Sequence, residues 1–213
     1  LQKKYKIPGG PKYKVFSSMD GISEFLVELK HNYVIKFDGL AGGKGVKVSG
    51  DHIHSHEEAI NHCSDLINNN SSFVIEEKFI GEEFSLMSFC DGKTLKHMPI
   101  IQDHKRAFEN DEGPNTGGMG TYSDVDHSLP FLKVNEVDEA KAINVATANA
   151  LKEEFNEGYI GILYGGFIAT KNGIKLIEYN ARFGDPETQV LILRLKSDLL
   201  PALMACVDGQ LSS

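Results

Sequence analysis

Apolar residues along the chain follow two different spacings, and each spacing predicts a different kind of element. Over residues 20–30 the apolar side chains recur every three or four positions, as they do on one face of a helix. They are Ile22, Phe25, Leu26 and Leu29. Helical patterns are also predicted over residues 55–69, 134–155, 188–194 and 197–207.

Short runs rich in β-branched and aromatic residues alternate with turn residues, which is typical of strands. The predicted strands cover residues 13–16, 33–37, 46–49, 73–77, 83–90, 94–101, 163–170 and 174–179. Asp91-Gly92 and Asn172-Gly173 each separate two consecutive strands and predict hairpin turns. Because hairpins are frequent and no βαβα alternation is present, the pattern favours an α+β fold over a doubly wound parallel sheet.

Residues 102–130 fit neither pattern. They are polar and glycine-rich, and we predict that they form a long loop without regular structure. In a compact domain, a loop of this length is usually either functional or disordered.

Composition narrows the class of protein. The chain has 213 residues, of which 41% are hydrophobic and 24% charged, so it suits one large domain or two small lobes. No run of about 18 apolar residues is present, so we expect no membrane span. The net charge of −8 disfavours nucleic acid as the main partner. Because the chain starts at Leu1 rather than at Met, we interpret it as a fragment or a processed chain.

Three cysteines occur, and they are far apart and form no CxxC motif: Cys63, Cys90 and Cys206. This spacing predicts no disulfide scaffold and favours a reducing, cytoplasmic environment. We expect each cysteine to be a small buried hydrophobic residue.

A glycine-rich segment between two predicted strands is the first candidate for chemistry. Gly42, Gly43 and Gly45 surround Lys44, and glycine lets backbone amides approach an anion closely. Lys36, in the preceding strand, adds a second positive charge. The segment has the outline of a phosphate-binding hairpin, although it lacks the spacing of a Walker A loop. The alternative is a flexible hairpin tip with a solvated lysine.

Glu178 and Asn180 are the second candidate, at the end of a predicted strand. Side chains two positions apart on a strand point to the same face. Together they offer hard oxygen ligands, which suit Mg²⁺ because this ion fills its other positions with water and substrate phosphates. The alternative is a solvated face of a hairpin.

The segment that follows, residues 182–187, is densely polar and lies between an apolar strand and an apolar helix. It contains Arg182, Asp185 and Glu187, and such a cluster indicates a ligand-binding site. Part of it is structural, because Asp185-Pro186 predicts a helix N-cap followed by proline at the first helical position.

Two stretches of the long polar segment also offer groups for binding. Residues 102–106 carry charged donors and acceptors, and residues 113–120 form a glycine-rich run suited to an anion nest. Composition alone leaves a mobile surface loop as the alternative.

Four of these segments together resemble one family. Residues 34–46, 102–106, 113–120 and 182–189 are similar to sequence blocks of the phosphoribosylamine–glycine ligases, which are ATP-grasp enzymes. The glycine hairpin alone would indicate ATP-grasp enzymes in general, whereas the other three blocks together are highly specific. The resemblance runs from about Ile7 to Val207.

The resemblance implies an ATP-grasp fold, in which two α+β lobes enclose the nucleotide. The small lobe would cover about residues 17–80 and the large lobe the remainder of residues 1–213. Residues implied to bind ATP, through the hairpin, an adenine hinge and a ribose-binding carboxylate, are Lys36, Gly42, Gly43, Lys44, Gly45, Glu77, Lys78, Ile80 and Glu83.

The resemblance also implies metal, catalytic and substrate-binding residues. Glu178 and Asn180 would hold Mg²⁺ or Mn²⁺. The residues implied to be catalytic are Arg182, Asp185 and Lys44. Those implied to hold the substrates are Asp103, His104, Lys105, Arg106, Asn115, Thr116, Gly117 and Gly118.

The implied activity is the ATP-dependent joining of two small molecules, glycine and 5-phosphoribosylamine, through glycyl phosphate, in purine biosynthesis. The resemblance implies family members about twice as long, with an N-terminal and a C-terminal domain that we expect to be absent from this chain. We therefore expect the chain to bind MgATP and to ligate poorly or not at all. The alternatives are another ATP-grasp carboxylate–amine ligase and a module that only binds MgATP.

Overall fold

The computed structural model describes residues 1–39 and 45–212, except for the side chain of Asp111. The chain divides into two compact units. The smaller unit is Pro11–Ile80, and the larger unit combines Leu1–Gly10, which carries the short helix α1 (Gln2–Tyr5), with Gly81–Ser213. Gly42, Gly43 and Lys44 of the predicted phosphate-binding hairpin lie outside the described residues.

The smaller unit is a four-stranded antiparallel sheet with two helices. Its elements are β1 (Tyr13–Phe16), α2 (Ile22–Glu28), β2 (Tyr33–Phe37), β3 (Val46–Val48), α3 (His56–Asn68) and β4 (Phe73–Glu77). The strand order is β1-β4-β2-β3, and all three pairings are antiparallel. Every strand and helix that the hydrophobic pattern predicts in this region is confirmed.

Alternation along β2 and β4 decides which side chains of the smaller unit enter the core. Ile35 and Ile75 lie opposite each other across the two strands, and both are fully buried in a cluster that includes Phe25 of α2. Since successive side chains of a strand point to opposite faces, the other face of the same strands carries Lys36 and Glu76. The sheet therefore separates an apolar face from a charged one.

The larger unit contains a second four-stranded antiparallel sheet, a separate hairpin and the remaining helices. Its elements are β5 (Glu82–Asp91), β6 (Leu95–His97), β7 (Gln102–Phe108), the 3-10 turn at Glu109–Asp111, β8 (Glu112–Tyr122), α4 (Val134–Phe155), β9 (Ile160–Thr170), β10 (Gly173–Asn180), α5 (Glu187–Arg194) and α6 (Leu199–Val207). The sheet has the order β10-β9-β5-β6, and β7 pairs only with β8. The two hairpins predicted at Asp91-Gly92 and Asn172-Gly173 are confirmed.

The core of the larger unit lies between α4 and the four-stranded sheet. Phe84 of β5 and Phe167 of β9 stack with ring centroids 5.6 Å apart, and they share a buried cluster with Ile143 of α4. Helix α4 has the predicted bounds, and its buried face also carries Asn144, whose amide donates to the carbonyl of Leu86. Antiparallel sheets, each with its own helices, make the fold α+β, as the sequence predicts.

The prediction of a structureless loop over residues 102–130 is wrong for its first two thirds. Strands β7 and β8 pair antiparallel, with Asp103 opposite Thr121 and His104 opposite Gly120. Strands with polar residues or glycines on both faces show no hydrophobic alternation, so the sequence pattern misses them. Backbone hydrogen bonds hold the hairpin together, and they do not depend on apolar side chains.

The start of α5 is a second correction. Pro186 occupies the N-cap position and the helix begins at Glu187, so Asp185 precedes the cap instead of forming it. The Asp185 carboxylate accepts a hydrogen bond of 2.8 Å from the side chain of Gln189, one turn into the helix. Among the helices of the described residues, none is both long and apolar enough to cross a membrane.

Candidate functional site

The larger unit carries an open cleft at the junction of β5, β7, β9 and β10. Its lining residues are Glu83, Phe84, Ser85, Asp103, Lys105, Tyr164, Gly166, Phe167, Ile177 and Glu178. Four of these are predicted site residues from distant parts of the sequence: Glu83, Asp103, Lys105 and Glu178. The antiparallel sheet and the β7–β8 hairpin bring them into one place.

The metal candidates Glu178 and Asn180 lie next to each other at the end of β10. The Asn180 side-chain amide donates a 3.0 Å hydrogen bond to Glu178 Oε1, so the two side chains share a face, as the sequence predicts. A register shift in β10 between Leu176 and Glu178 separates this pair from the regular strand. Glu178 is exposed and lines the cleft, which leaves its carboxylate accessible to a ligand.

These two residues fit a Mg²⁺ ion that takes most of its ligands from a substrate. The described residues contain no group of three or more His, Cys, Asp or Glu that could hold a metal by themselves. Mg²⁺ commonly uses one or two protein oxygens and completes its shell with water and phosphate oxygens. The Glu178 carboxylate, which lines the cleft, and the side-chain amide oxygen of the neighbouring Asn180 match this requirement.

Lys105 links two acidic side chains of the cleft. Its ammonium nitrogen lies 3.7 Å from Glu83 Oε2 and 3.7 Å from Asp103 Oδ2. The Lys105 side chain is 45% exposed, so these ion pairs contribute little to stability and leave the ammonium group able to change partners. The arrangement places one positive charge between two negative charges.

The neighbours of Lys105 in β7 do not all face the cleft. Successive strand residues point to opposite sides, and the ring of His104 stacks on Tyr122, with centroids 5.9 Å apart. The guanidinium of Arg106 donates a 2.9 Å hydrogen bond to the carbonyl of Gly113. Of the predicted residues 103–106, the structure therefore places Asp103 and Lys105 in the cleft and His104 and Arg106 outside its lining.

The glycine-rich run of β8 is folded against β7 by an irregular register. His104 lies opposite Gly120, whereas Arg106 lies opposite Asn115. Inside this irregularity, the Thr116 hydroxyl donates 2.9 Å to the carbonyl of Lys105 and accepts 3.1 Å from the amide of Gly118. The predicted binding residues Asn115, Thr116, Gly117 and Gly118 are therefore a bulged part of the hairpin.

Gly118 is required at its position for two reasons. Its φ of +128° is a conformation that L side chains rarely adopt, and a Cβ there would lie 2.6 Å from Pro186 Cδ and 3.0 Å from Asp103 Oδ1. The close approach of Gly118 to Pro186 joins the hairpin to the segment that leads into α5. It also covers one carboxylate oxygen of Asp103.

Glu187, which the sequence places in the polar cluster of residues 182–187, is a buried acid behind the cleft. It is 3% exposed, and its Oε1 accepts hydrogen bonds from the hydroxyl of Tyr164 at 2.6 Å and of Ser85 at 3.4 Å. Burial raises the pKa of Tyr164, and the hydrogen bond to Glu187 raises it further. The signal in the sequence is the acid at the start of an apolar helix, and only the fold shows that it is buried.

The two residues implied to be catalytic in the larger unit are both exposed. The Arg182 guanidinium donates 2.8 Å to the carbonyl of Phe183, and Asp185 is bonded to Gln189. Neither side chain lines the cleft, although both belong to the segment that connects Asn180 to Glu187. Lys44, the third, lies outside the described residues.

In the smaller unit, Lys36 forms an ion pair with Glu76 on the charged face of the sheet. The Lys36 ammonium lies 2.5 Å from Glu76 Oε1, and the two side chains are only 23% and 14% exposed. Gly45, the described end of the predicted hairpin loop, accepts a 2.9 Å hydrogen bond from the amide of Phe37 and so closes the β2–β3 pair. Lys36 is thus held on the strand that leads into the segment that the sequence predicts to bind phosphate.

The predicted adenine hinge follows β4. The amides of Glu77 and Lys78 already donate within the unit, to the carbonyls of Lys12 and Asn32 at 2.9 and 3.1 Å. The Lys78 ammonium donates 2.7 Å to the carbonyl of Ser49. Ile80 is 74% exposed, which leaves an apolar side chain at the end of the unit.

The α+β fold with two antiparallel sheets, together with a match to the model of an ATP-grasp domain, identifies an ATP-grasp protein. The family can be stated more narrowly. Residues 1–188 match the model of the phosphoribosylglycinamide synthetase ATP-grasp (A) domain, and the chain belongs to this family.

Individual relatives agree with the family match. The chain is 48% identical, over its whole length, to a phosphoribosylamine–glycine ligase of Methanosarcina barkeri. A crystal structure of phosphoribosylamine–glycine ligase from Thermotoga maritima aligns over 98% of the chain, with a TM-score of 0.82 and 31% identity. The D-alanyl-alanine synthetase A of Vibrio cholerae aligns over 99% of the chain with a TM-score of 0.70; at 12% identity it shows the fold alone.

These alignments cover only part of the relatives. The chain spans 49% of the Methanosarcina protein and 52% of the Thermotoga chain. The activities named for these relatives therefore belong to longer proteins than this chain.

Proposed function

We propose that this chain supplies the ATP-grasp part of a phosphoribosylamine–glycine ligase, which joins glycine to 5-phosphoribosylamine with ATP. The observation that carries the proposal is the 48% identity to a curated ligase of that name over all 213 residues of the chain. The geometry of the cleft supports it, because residues that the sequence predicts to bind the metal, the ribose and the substrates line the same cleft.

In this proposal the smaller unit contacts the nucleotide through Lys36, Lys44 and the amides of Gly42, Gly43 and Gly45. A lysine ammonium and closely approaching amides offset the charge of phosphate oxygens. Since the amides of Glu77 and Lys78 already donate within the smaller unit, the adenine edge would be read by the hinge residues that follow, up to Ile80. Glu83 would accept hydrogen bonds from the ribose hydroxyls.

The larger unit would hold the metal and the acceptor substrates. Glu178 and Asn180 are the residues that would bind Mg²⁺ or Mn²⁺, which offsets charge on the transferring phosphoryl group. Asp103 and Lys105 lie in the same cleft as Glu178, so substrate groups bound there would be close to the nucleotide phosphates. Arg182 and Asp185 would act on the acyl phosphate or the attacking amine.

The reaction we propose has two steps. The glycine carboxylate attacks the γ-phosphorus of ATP, which breaks the bond to ADP and forms glycyl phosphate. The amine of 5-phosphoribosylamine then attacks the glycyl carbonyl carbon, and phosphate leaves with the bond electrons. The residues named above contribute mainly by holding the reactants and by offsetting negative charge, which is the usual basis of phosphoryl-transfer catalysis.

We propose that the protein is located in the cytoplasm, because its cysteines are free thiols. Cys63, Cys90 and Cys206 are buried free thiols, and burial raises the pKa of Cys63 and Cys90 to about 12. Protonated, buried thiols of this kind are packing residues rather than nucleophiles.

Because we expect the chain to ligate poorly by itself, the test is an ATP-dependent phosphate-release assay at high protein concentration, with each substrate omitted in turn. We expect release to require ATP, Mg²⁺, glycine and 5-phosphoribosylamine together, and D-alanine or other carboxylates not to replace glycine. Turnover with a different carboxylate would identify another ATP-grasp ligase. Calorimetric binding of MgATP without turnover would support the alternative of a module that only binds the nucleotide.

A further inference from the structure

A buried asparagine of α4 holds a tyrosine at the end of β10 by a hydrogen bond. Asn144 is fully buried, and its Oδ1 accepts a 2.9 Å hydrogen bond from the Tyr179 hydroxyl. The same hydroxyl lies 3.0 Å from Oγ1 of Thr147, about one turn further along α4 on the same face of the helix. The Asn144 amide nitrogen donates to the carbonyl of Leu86 at 3.2 Å and to the hydroxyl of Ser88 at 3.3 Å, so the asparagine is itself fixed to β5.

Tyr179 lies between the two metal candidates, Glu178 and Asn180, in the sequence. Successive side chains of a strand point to opposite faces. Tyr179 faces α4, so Glu178 and Asn180 face the other way, where Glu178 lines the cleft. A rotation or shift of the strand at Tyr179 would therefore move both metal candidates.

The sheet by itself offers this end of β10 little support. Among the described strands, β10 pairs only with β9, so it has a neighbour on one side. The register shifts between Leu176 and Glu178, and beyond the shift Glu178 and Tyr179 lie opposite Gly166 and Gly165. Cross-strand side-chain pairs stabilise a sheet, and a glycine cannot form one. The hydrogen bonds from Tyr179 to α4 therefore provide contacts that β9 does not.

Gly165 leaves room for the asparagine. A Cβ on Gly165 would lie 2.8 Å from Asn144 Oδ1, which is too close for an ordinary contact. The glycine opposite Tyr179 thus allows the helix amide to reach the tyrosine hydroxyl. Burial raises the pKa of Tyr179, which keeps this hydroxyl protonated and able to donate.

We infer that Asn144 and Thr147 are positioning residues for the metal site, because through the Tyr179 hydroxyl they fix the end of the strand that carries Glu178 and Asn180. The inference rests on the proposed function, in which those two residues bind Mg²⁺. The two α4 side chains lie on the opposite face of β10 from the cleft, so they act through the backbone of the strand. Residues that orient metal ligands in this way commonly change metal affinity or activity by about 10- to 100-fold when they are replaced.

The experiment measures the gain in ATP affinity that Mg²⁺ confers, by calorimetric titration of the chain with ATP in excess Mg²⁺ and again with a chelator. Tyr179→Phe removes only the hydroxyl. Tyr159→Phe is the matched control, because Tyr159 packs against the same buried cluster as Tyr179 and its hydroxyl donates 2.8 Å to the carbonyl of Ile162 in β9. Thr147→Val and Thr147→Ser form a second pair, in which only serine keeps the hydroxyl.

We expect the Mg²⁺-dependent gain to fall about tenfold in Tyr179→Phe and to fall in Thr147→Val, while ATP affinity with the chelator changes little. Tyr159→Phe and Thr147→Ser should keep the gain of the parent. This pattern would separate positioning of the metal site from a general effect on the fold.

A full Mg²⁺-dependent gain in Tyr179→Phe would overturn the inference and leave the proposed function intact, even with a lower urea midpoint, because the hydrogen bonds would then be structural only. Equal losses in Tyr179→Phe and Tyr159→Phe would overturn it as well. A parent that binds ATP no better with Mg²⁺ than with the chelator would overturn the metal assignment of the proposed function, and the inference with it.

Discussion

Tyr164 and Glu187 lie 23 residues apart in the chain, and the Tyr164 hydroxyl donates a 2.6 Å hydrogen bond to the buried Glu187 carboxylate. The bond joins the middle of β9 to the first turn of α5, directly behind the cleft. The position of the Glu187 carboxylate therefore depends on how β9 packs.

Removing this donor should destabilise the larger unit. In Tyr164→Phe, Glu187 Oε1 keeps only the 3.4 Å bond from Ser85, so a buried charge loses its main partner. We expect a loss of about 1–3 kcal/mol in the free energy of unfolding, measured with urea. Ser85→Ala removes the 3.4 Å bond to Glu187 and the 2.6 Å hydrogen bond between the Ser85 and Tyr164 hydroxyls, but it leaves the charged acceptor its bond from Tyr164 and should cost less. Equal costs for the two variants would contradict this account.

Asp91 should make stability depend on pH. Its Oδ1 accepts from the amides of Thr94 at 2.6 Å and Lys93 at 2.9 Å, and its Oδ2 accepts from Leu211 at 3.0 Å. The bond from Thr94 is the main cause of its lowered pKa. Because the folded-state pKa is below the unfolded one, the stabilisation is complete above about pH 4 and is lost as pH falls through the lowered folded-state value.

Replacing Asp91 with asparagine tests this directly. Asn has one acceptor oxygen for three amides, so we expect a loss of about 2 kcal/mol at pH 7. Denaturant unfolding measured from pH 7 down to pH 3 should also fall less steeply in Asp91→Asn than in the parent. Parallel curves for the two proteins would show that Asp91 does not carry the pH dependence.

Gly118 and Gly120 offer a matched pair in the hairpin. A Cβ at Gly118 meets Pro186 at 2.6 Å and requires a φ of +128°, whereas a Cβ at Gly120 meets nothing within 4 Å. We expect Gly118→Ala to cost about 1–3 kcal/mol of unfolding free energy. Gly120→Ala should stay within about 0.5 kcal/mol of the parent. Similar values for both would mean that the hairpin does not rest closely on the segment before α5.

Lys36 should contribute to nucleotide affinity. We expect Lys36→Met to weaken MgATP binding at least about tenfold in calorimetric titration, because a charged donor to phosphate is lost. Lys47→Met is the control: Lys47 lies opposite Ile35 on the neighbouring strand, in register with the core face and not with Lys36. Equal weakening by the two substitutions would indicate a general effect of charge.

Glu178 and Asn180 should determine how ATP binding responds to Mg²⁺. In the double variant Glu178→Ala, Asn180→Ala, we expect the gain in ATP affinity on adding Mg²⁺ to be largely lost, while affinity measured with a chelator changes little. Asp138→Ala, which removes an exposed carboxylate of α4, should keep the full Mg²⁺ response. A double variant that responds like the parent would remove both residues from the metal site.

The sequence by itself determined the class of fold and most elements. The spacing of Ile22, Phe25 and Leu29 in α2, and the turn residues at Asn172-Gly173, predict local structure because helices, strands and tight turns impose short-range periods. The pairing of Glu178 with Asn180 is local in the same sense, since residues two apart on a strand share a face. The resemblance to the ligase family supplied the expected chemical roles of Glu178 and Asn180.

Only the tertiary structure decided which of the predicted site residues lie close together in space. Strands β7 and β8 carry no apolar alternation, so their pairing, and with it the burial of Asp103, depends on backbone hydrogen bonds that composition does not reveal. Glu187 looks like an ordinary acid at a helix start, and it becomes buried because β9 places Tyr164 against it. Proximity between residues far apart in sequence is set by sheet order and packing, which short-range patterns do not encode.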